Sequence, residues 1–84
     1  MTAEFLPEAA AELDDAFNFY EGRFPTLGGD CRAEARRTLD LVIERPRAWK
    51  RVAPGIRQCQ LNRFPYALVY GIDNGRVVVI AVVT

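Results

Sequence analysis

The stretch from Arg57 to Val83 constrains the fold most, because it holds three strand-like runs separated only by short turns. In the first run, Arg57 to Arg63, Cys59 and Leu61 alternate with polar residues, which is typical of a strand buried on one face. The second run, Tyr66 to Ile72, collects its large side chains on one face in the same way. Both patterns have the period of two that strand geometry imposes.

Turn residues separate these runs. Phe64-Pro65 interrupts the chain after the first run, because proline has no N–H for a central ladder. Asp73-Asn74-Gly75 predicts a hairpin after the second run, since Asn and Gly tolerate the positive φ of tight hairpin turns. The third run, Val77 to Val83, is apolar throughout and rich in β-branched residues, which predicts a central strand buried on both faces. Together the three runs predict an antiparallel meander.

The chain before the meander predicts a short strand and two helices. Ala3 to Leu6 forms the strand, and Pro7 is well placed at the first position of a helix. This helix extends to about Phe24, and its core face is predicted to hold Leu13, Ala16, Phe17, Tyr20 and Phe24, with Glu12, Asp15 and Asn18 lying away from it. A second helix begins between Leu27 and Asp30 and ends near Glu44, before Pro46.

We therefore predict one α+β domain over residues 1–84, with the order β-α-α-β-β-β and a helical hairpin packed on one face of a small, mainly antiparallel sheet. A chain of 84 residues supports one modest core. Trp49 lies in an irregular approach to the sheet. We interpret its indole as part of that core rather than as a binding group, because burial of one indole is a large gain for a small domain.

Composition argues against several kinds of site. The chain has no histidine, which excludes histidine acid–base catalysis, and its two cysteines, Cys31 and Cys59, are interpreted as buried reduced thiols. We therefore predict no metal site and no cofactor. No segment has the apolar length of a membrane span, and the first residues are acidic where a signal peptide would be basic. These features predict a cytoplasmic protein.

The formal net charge of zero hides an uneven distribution of charge. Residues 1–23 hold six acids against Arg23 alone, whereas the segment from Arg45 to Arg63 holds six cations and no acid. Two interpretations of this basic segment stay open: a solvated face, or a docking surface for an acidic partner. The candidate partner-binding residues are Arg45, Arg47, Lys50, Arg51, Arg57 and Arg63.

Short motifs occur along nearly the whole chain in a definite order: Phe5-Leu6-Pro7-Glu8-Ala9, Glu12-Leu13, Phe19-Tyr20-Glu21, Phe24-Pro25, Leu27-Gly28, Glu34, Ile43-Glu44-Arg45-Pro46, Arg57, Arg63-Phe64-Pro65-Tyr66-Ala67-Leu68-Val69-Tyr70 and Val79-Ile80-Ala81-Val82. In this order and spacing the chain resembles the RelE/ParE superfamily of type II toxin-antitoxin toxins, often labelled plasmid-stabilisation proteins. The resemblance implies a compact toxin that is neutralised by an antitoxin protein, which wraps it with a helix and often an added strand.

The resemblance implies two alternative activities. RelE-like members cut messenger RNA in the ribosome with basic groups on the open face of the sheet, whereas ParE-like members act against DNA gyrase and lack that set. The positions that match the RNA-cleaving lysines and arginine are Gln58, Gln60 and Ala67, and none of them carries a charge. The resemblance therefore favours a ParE-like toxin that acts by binding a protein, with gyrase as its target, rather than an enzyme.

Two other hypotheses stay open. A RelE-like ribonuclease would use Arg57, Arg63 and Tyr66 as its candidate catalytic groups, although Arg57 could equally form an ion pair with the acidic first helix. A non-toxic protein that keeps the fold is the second hypothesis, because family members commonly continue past the last strand with a polar tail, whereas this chain stops at Thr84. The apolar run from Val77 to Val83 also predicts that the isolated chain forms a homodimer or is poorly soluble.

Overall fold

The computed structural model describes residues 1–84 and contains five strands and two helices. In chain order these are β1 (Thr2–Phe5), α1 (Pro7–Glu21), α2 (Leu27–Glu44), β2 (Lys50–Ala53), β3 (Ile56–Gln60), β4 (Ala67–Asp73) and β5 (Arg76–Val83). The strands form one sheet in the spatial order β1-β5-β4-β3-β2, in which β1 is parallel to β5 and all other neighbours are antiparallel. The predicted α+β class, with a helical hairpin on a mainly antiparallel sheet, is confirmed.

Strand β2 is the element that the sequence pattern does not predict. All four of its residues are exposed, so its side chains show no alternation between polar and apolar. It pairs with β3 through the two-residue turn Pro54-Gly55, in which Gly55 has a φ of 71°. Proline followed by a glycine at positive φ is typical of a type II turn. The meander therefore has four strands rather than three.

The predicted hairpin between β4 and β5 is confirmed, with Asn74 and Gly75 both at positive φ. The central strand, however, is β4, because two strands, β3 and β2, lie on its other side, whereas only β1 lies beyond β5. The prediction that Val77 to Val83 is buried on both faces is also wrong. Val77 and Val79 are fully buried beneath the helices, whereas Val78 on the opposite face is only half-buried, since no helix covers that face.

The core lies between the two helices and the covered face of the sheet. Its largest fully buried side chains come from both layers: Cys31 and Val42 from α2, and Leu68, Tyr70, Val77 and Val79 from the sheet. A register shift in the β4–β5 ladder lets both Val79 and Val82 face the helices although they are three positions apart. Buried side chains of β5 therefore extend from Val77 to Val82.

Helix α1 departs from its predicted pattern at three residues. The helix ends at Glu21, and Phe24, which was predicted to face the core, is 68% exposed because the chain has already left the helix. Glu12 was predicted to lie away from the core face. It is half-buried instead, and its carboxylate accepts a hydrogen bond from the backbone N–H of Val82. Leu13, Ala16 and Tyr20 pack against the core as predicted. Phe17 was also predicted to face the core, but it is half-buried outside the core cluster, with the guanidinium of Arg32 over its ring.

The junction between α1 and α2 is fixed by one carboxylate and one glycine. Glu21 accepts hydrogen bonds from the backbone N–H groups of Thr26 and Gly28, at 3.1 and 3.0 Å, and so satisfies free donors at the start of α2. A Cβ atom at Gly28 would lie only 2.5 Å from the carbonyl oxygen of Phe17. Gly28 is therefore required by the close approach of the two helices.

The cysteines and the tryptophan occupy the environments that the sequence predicts. Cys31 and Cys59 are buried and unpaired, and burial raises the pKa of both thiols. Trp49 packs against the core cluster, although its buried Nε1–H has no acceptor. Neither helix has the combination of length and apolar character that a membrane crossing requires.

Candidate functional site

The positive charge that lacks a carboxylate partner is concentrated at one end of the molecule. Of the eleven Lys and Arg residues, five lie within 4.0 Å of a carboxylate: Arg32, Arg36, Arg37, Arg63 and Arg76. The other six have no such partner, and five of them fall between the end of α2 and the start of β3: Arg45, Arg47, Lys50, Arg51 and Arg57. This end of the protein therefore carries unneutralised positive charge.

Three of these arginines line a single recess. Arg47, Arg51 and Arg57 surround a cavity of about 300 Å³, whose other lining residues are Gly55, Tyr70, Gly71 and Ile72. No acidic residue lines the cavity. Arg51 on β2 pairs directly with Arg57 on β3, so the two side chains project from directly opposed positions. The β2–β3 hairpin therefore brings together arginines that are distant along the chain.

Two hydrogen bonds fix the wall of this arginine recess. Nη1 of Arg57 donates to the carbonyl oxygen of Trp49 at 2.8 Å, and the hydroxyl of Tyr70 donates to the carbonyl oxygen of Pro46 at 2.6 Å. Since Arg57 and Tyr70 are directly opposed on β3 and β4, both bonds tie the segment after α2 to the same place on the sheet. This segment also carries Arg47, which is thereby held beside the other two arginines.

Two of the residues that line the recess are glycines. Gly55 occupies the β2–β3 turn, and a Cβ atom at Gly71 would lie 3.3 Å from the carbonyl oxygen of Gly55. This contact is tighter than a normal van der Waals separation. Glycine at position 71 thus allows the β2–β3 turn to pack closely against β4 beside the recess.

The electrostatics of the recess suit an anion. Burial raises the pKa of Tyr70, with the positive charge of Arg57 acting in the opposite direction, so the phenol stays neutral at physiological pH. Guanidinium groups present planar pairs of N–H donors that match carboxylate and phosphate oxygens. Arginine stays protonated and cannot act as a base. The recess is therefore equipped to bind an anionic group and not to transfer protons.

The face of the sheet opposite the helices is largely neutral at its centre. Gln58 pairs with Val69 and Gln60 pairs with Ala67, which places these neighbouring side chains on the uncovered face. The side-chain amide of Gln60 donates to the carbonyl oxygen of Tyr66 at 2.9 Å. Lys50, which is directly opposite Gln58 on β2, is the cation beside this group.

Comparisons with known proteins place the chain in a family. The family model for the ParE toxin of the type II toxin-antitoxin system, parDE, matches residues 3–84. The chain belongs to the ParE toxin family. A search of curated protein sequences finds no match.

Two solved structures resemble this ParE family member. A chain of the chromosomal ParDE system from P. aeruginosa superposes with a TM-score of 0.85 at 17% identity, and the match covers 99% of this chain and 94% of that one. A chain of the intact E. coli RelBE toxin-antitoxin complex gives a TM-score of 0.72 at 25% identity, with the same coverage of 99% and 94%. The fold is thus shared with members of toxin-antitoxin systems.

In this ParE family member, the six predicted partner-binding residues do not form one surface. Arg47, Arg51 and Arg57 meet in the recess. Arg45 follows the end of α2 and does not line the recess, and Lys50 belongs to the opposite face of the sheet. The sixth residue, Arg63, lies in the β3–β4 loop at a φ of 73°, with its guanidinium 3.9 Å from the carboxylate of Asp30.

The three predicted catalytic candidates, Arg57, Arg63 and Tyr66, also lie apart. Arg57 is near the start of β3, whereas Arg63 follows the end of that strand. The ring of Tyr66 packs 6.2 Å from that of Tyr20, and burial raises the pKa of its hydroxyl. Arg57 forms no ion pair with the acidic first helix, since its guanidinium is bound to the Trp49 carbonyl instead. No single catalytic site contains all three residues.

The convergence of Arg47 and Arg51 with Arg57 was not predicted from the sequence. Its signal was the dipeptide Pro54-Gly55, which marks a tight turn and places the residues on either side of it on neighbouring strands. Because β2 is exposed along its length, no apolar pattern accompanies that signal. The turn residues alone identify the hairpin.

Proposed function

We propose that this ParE family member is the toxin of a type II toxin-antitoxin pair, that it arrests growth by binding DNA gyrase, and that a cognate antitoxin neutralises it. Membership of the ParE toxin family supports the toxin assignment. The observation that favours protein binding over RNA cleavage is the neutral group formed by Gln58, Gln60 and Ala67 on the uncovered face of the sheet.

The chemistry of RNA cleavage explains why this group decides between the two activities. Attack by a ribose 2′-hydroxyl needs a base to remove its proton, an acid for the leaving group and a cation to stabilise the charge on the phosphate. Two amides and a methyl group supply none of these. Arg57 is on the helix-covered face, and Tyr66 packs among aromatic side chains, so neither restores the missing set.

The proposal of an antitoxin partner is supported by surfaces that the chain leaves uncovered. The outer edges of β1 and β2 have no strand beside them, and residues such as Val69, Val78 and Ala81 are half-buried on a face without helices. Apolar faces and strand edges of this kind are where other chains bind. Both structural relatives come from toxin-antitoxin systems. A second copy of the chain is the alternative occupant, which gives a homodimer.

Induction of the chain alone in a bacterial culture tests this function. We expect growth arrest with a DNA damage response and intact messenger RNA, and purified chain should inhibit supercoiling by gyrase. A vector with an early stop codon controls for the burden of expression. Arrest with cleaved messenger RNA would instead identify a ribonuclease, and normal growth with soluble, folded chain would contradict toxicity altogether.

A further inference from the structure

We propose that the arginine recess binds one carboxylate group of an acidic peptide segment, and that Arg47, Arg51 and Arg57 are its ligands. The identity of the protein that supplies this segment rests on the proposed function, in which the antitoxin is the partner. The binding chemistry itself is independent of toxicity, because it depends only on the recess.

The first argument is the uncompensated charge within the hairpin. Like charges directly opposite each other on antiparallel strands destabilise a sheet, and Arg51 and Arg57 stand in this relation. Arg47 adds a third positive charge to the same cavity, and no carboxylate is near enough to neutralise any of them. An anion in the recess would remove this repulsion and receive charge-assisted hydrogen bonds.

The second argument is the size and isolation of the basic site. A cavity of about 300 Å³ accepts a single small anionic group with its adjoining chain. A nucleic acid strand needs a row of phosphate contacts, and single strands are commonly held by stacking on exposed aromatic rings. The only aromatic ring at the recess belongs to Tyr70, which is fully buried, and the cations elsewhere on the chain are mostly paired with carboxylates. One carboxylate fits better than a polyanion.

The third argument is the position of the recess at the edge of the sheet. Arg51 belongs to β2, whose outer edge is free. A peptide that lies along this edge can therefore reach the recess with one side chain and leave the core undisturbed. An acidic peptide can use both the free edge of β2 and the charge of the arginines, whereas a free inorganic anion can use only the charge.

Nuclear magnetic resonance of the purified full chain tests the proposal. The probe is a short capped peptide of alternating Glu and Ser, and the matching Gln and Ser peptide is its neutral control. The signals to follow are the Nε–Hε groups of Arg51 and Arg57 and the indole N–H of Trp49. Trp49 is included because its backbone carbonyl oxygen accepts a hydrogen bond from Arg57. We expect saturable shifts with the acidic peptide alone.

Two charge-matched variants separate the recess from general attraction. Arg51→Gln should weaken binding of the acidic peptide by about ten- to a hundredfold, as expected for loss of charge-assisted hydrogen bonds. Lys50→Gln removes a charge from the adjacent position of the same strand, but on the other face, and should change the affinity by less than about twofold.

Three results would overturn the proposal. One is the absence of saturable shifts, and another is equal weakening by both variants, which would indicate diffuse attraction. The third is displacement of the peptide by oligothymidylate, together with loss of oligonucleotide binding in the Arg51→Gln variant. That result would identify a nucleic acid as the ligand of the recess. Each assay uses the isolated chain and measures binding, not growth. Failure of the recess proposal can therefore be distinguished from failure of the proposed toxin function.

Discussion

The backbone N–H of Val82 on β5 donates a 2.9 Å hydrogen bond to Oε1 of Glu12 on α1. The reason is the short length of β1, which ends at Phe5 opposite Val79 and leaves the remainder of β5 without a strand on that side. A donor that the ladder cannot satisfy is thus satisfied by a helix side chain. This contact protects the apolar strand at the point where its edge would otherwise be open.

Replacement of Glu12 by Ala should lower the free energy of unfolding by about 1–3 kcal/mol, because the Val82 N–H loses its acceptor in a part-buried position. Glu12→Gln keeps an acceptor oxygen and should cost less. Urea denaturation of both variants measures the difference. Equal losses would contradict a role for the hydrogen bond.

The two neighbouring glycines of α2 should respond in opposite directions to alanine. Gly28→Ala places a methyl group against the backbone of Phe17, and the helices must separate, at a cost of about 1–3 kcal/mol. Gly29→Ala meets nothing within 4 Å and should stabilise the chain by about 0.5–1 kcal/mol, through helix propensity. Thermal unfolding compares the two variants. A stable Gly28→Ala variant would show that the helix contact is not tight.

Glu34 is a buried carboxylate that joins α2 to the loop after β3. It accepts a hydrogen bond from the Asn62 N–H at 3.1 Å and pairs with Arg37. Glu34→Ala should therefore cost about 2–3 kcal/mol, because the Asn62 donor is left without a partner. Glu44→Ala, at the exposed end of the same helix, should change stability by less than about 0.5 kcal/mol. Similar losses in urea denaturation would contradict this assignment.

The opposed arginines of the recess predict a stabilising substitution. Arg51→Gln removes one of two like charges and should raise the free energy of unfolding by about 0.2–1 kcal/mol at low salt. Added salt should reduce this gain, because it screens the repulsion in the parent chain. Lys50→Gln provides the control, since its cross-strand partner Gln58 is neutral. A gain that is insensitive to salt would point to a cause other than charge.

Alkaline pH should destabilise the fold through four buried groups. Burial raises the pKa of Cys31 and Cys59 above the ordinary 9.0, and that of Tyr66 and Tyr70 above 10.0. The folded chain therefore keeps protons that the unfolded chain releases. This contribution to stability is complete below pH 9.0, the lowest of the ordinary pKa values. It is lost as the pH rises from there through the raised pKa values of the folded chain.

Urea denaturation from neutral pH to about pH 11 measures this loss. Tyr66→Phe should make the decline less steep, because it removes one titrating group whose hydroxyl forms no hydrogen bond within the chain. A stability that is constant across this range would contradict the protonated state of the buried groups.

Local signals predicted much of the fold. The period-two runs located β3 and β4, and the continuous apolar run located β5. Asn74-Gly75 located the turn between the last two strands. All of these features depend only on neighbouring residues. Glu12 and Glu34 were different. Each is a polar residue whose partner lies far along the chain, so hydrophobic periodicity assigned no inward role to either one.

The candidate site was predicted in composition but not in arrangement. Charge counting identified the basic segment, yet it grouped Arg63 with Arg57, although the first lies beside Asp30 and the second lies against Tyr70. The grouping depends on strand pairing, which sets the faces of the side chains. Because β2 is exposed at every position, no apolar pattern indicates that pairing, and its only signal in the sequence is the turn dipeptide Pro54-Gly55.

Strand β2 has one further consequence. Its four residues are exposed and β3 is its only neighbour in the sheet, so it is the strand that can detach with least disturbance of the core. Detachment moves Arg51 away from Arg57, and the recess is lost. An occupant of the recess would therefore slow hydrogen exchange at Lys50–Ala53 selectively, and the local unfolding of one short hairpin would set the rate at which this end of the protein captures and releases its partner.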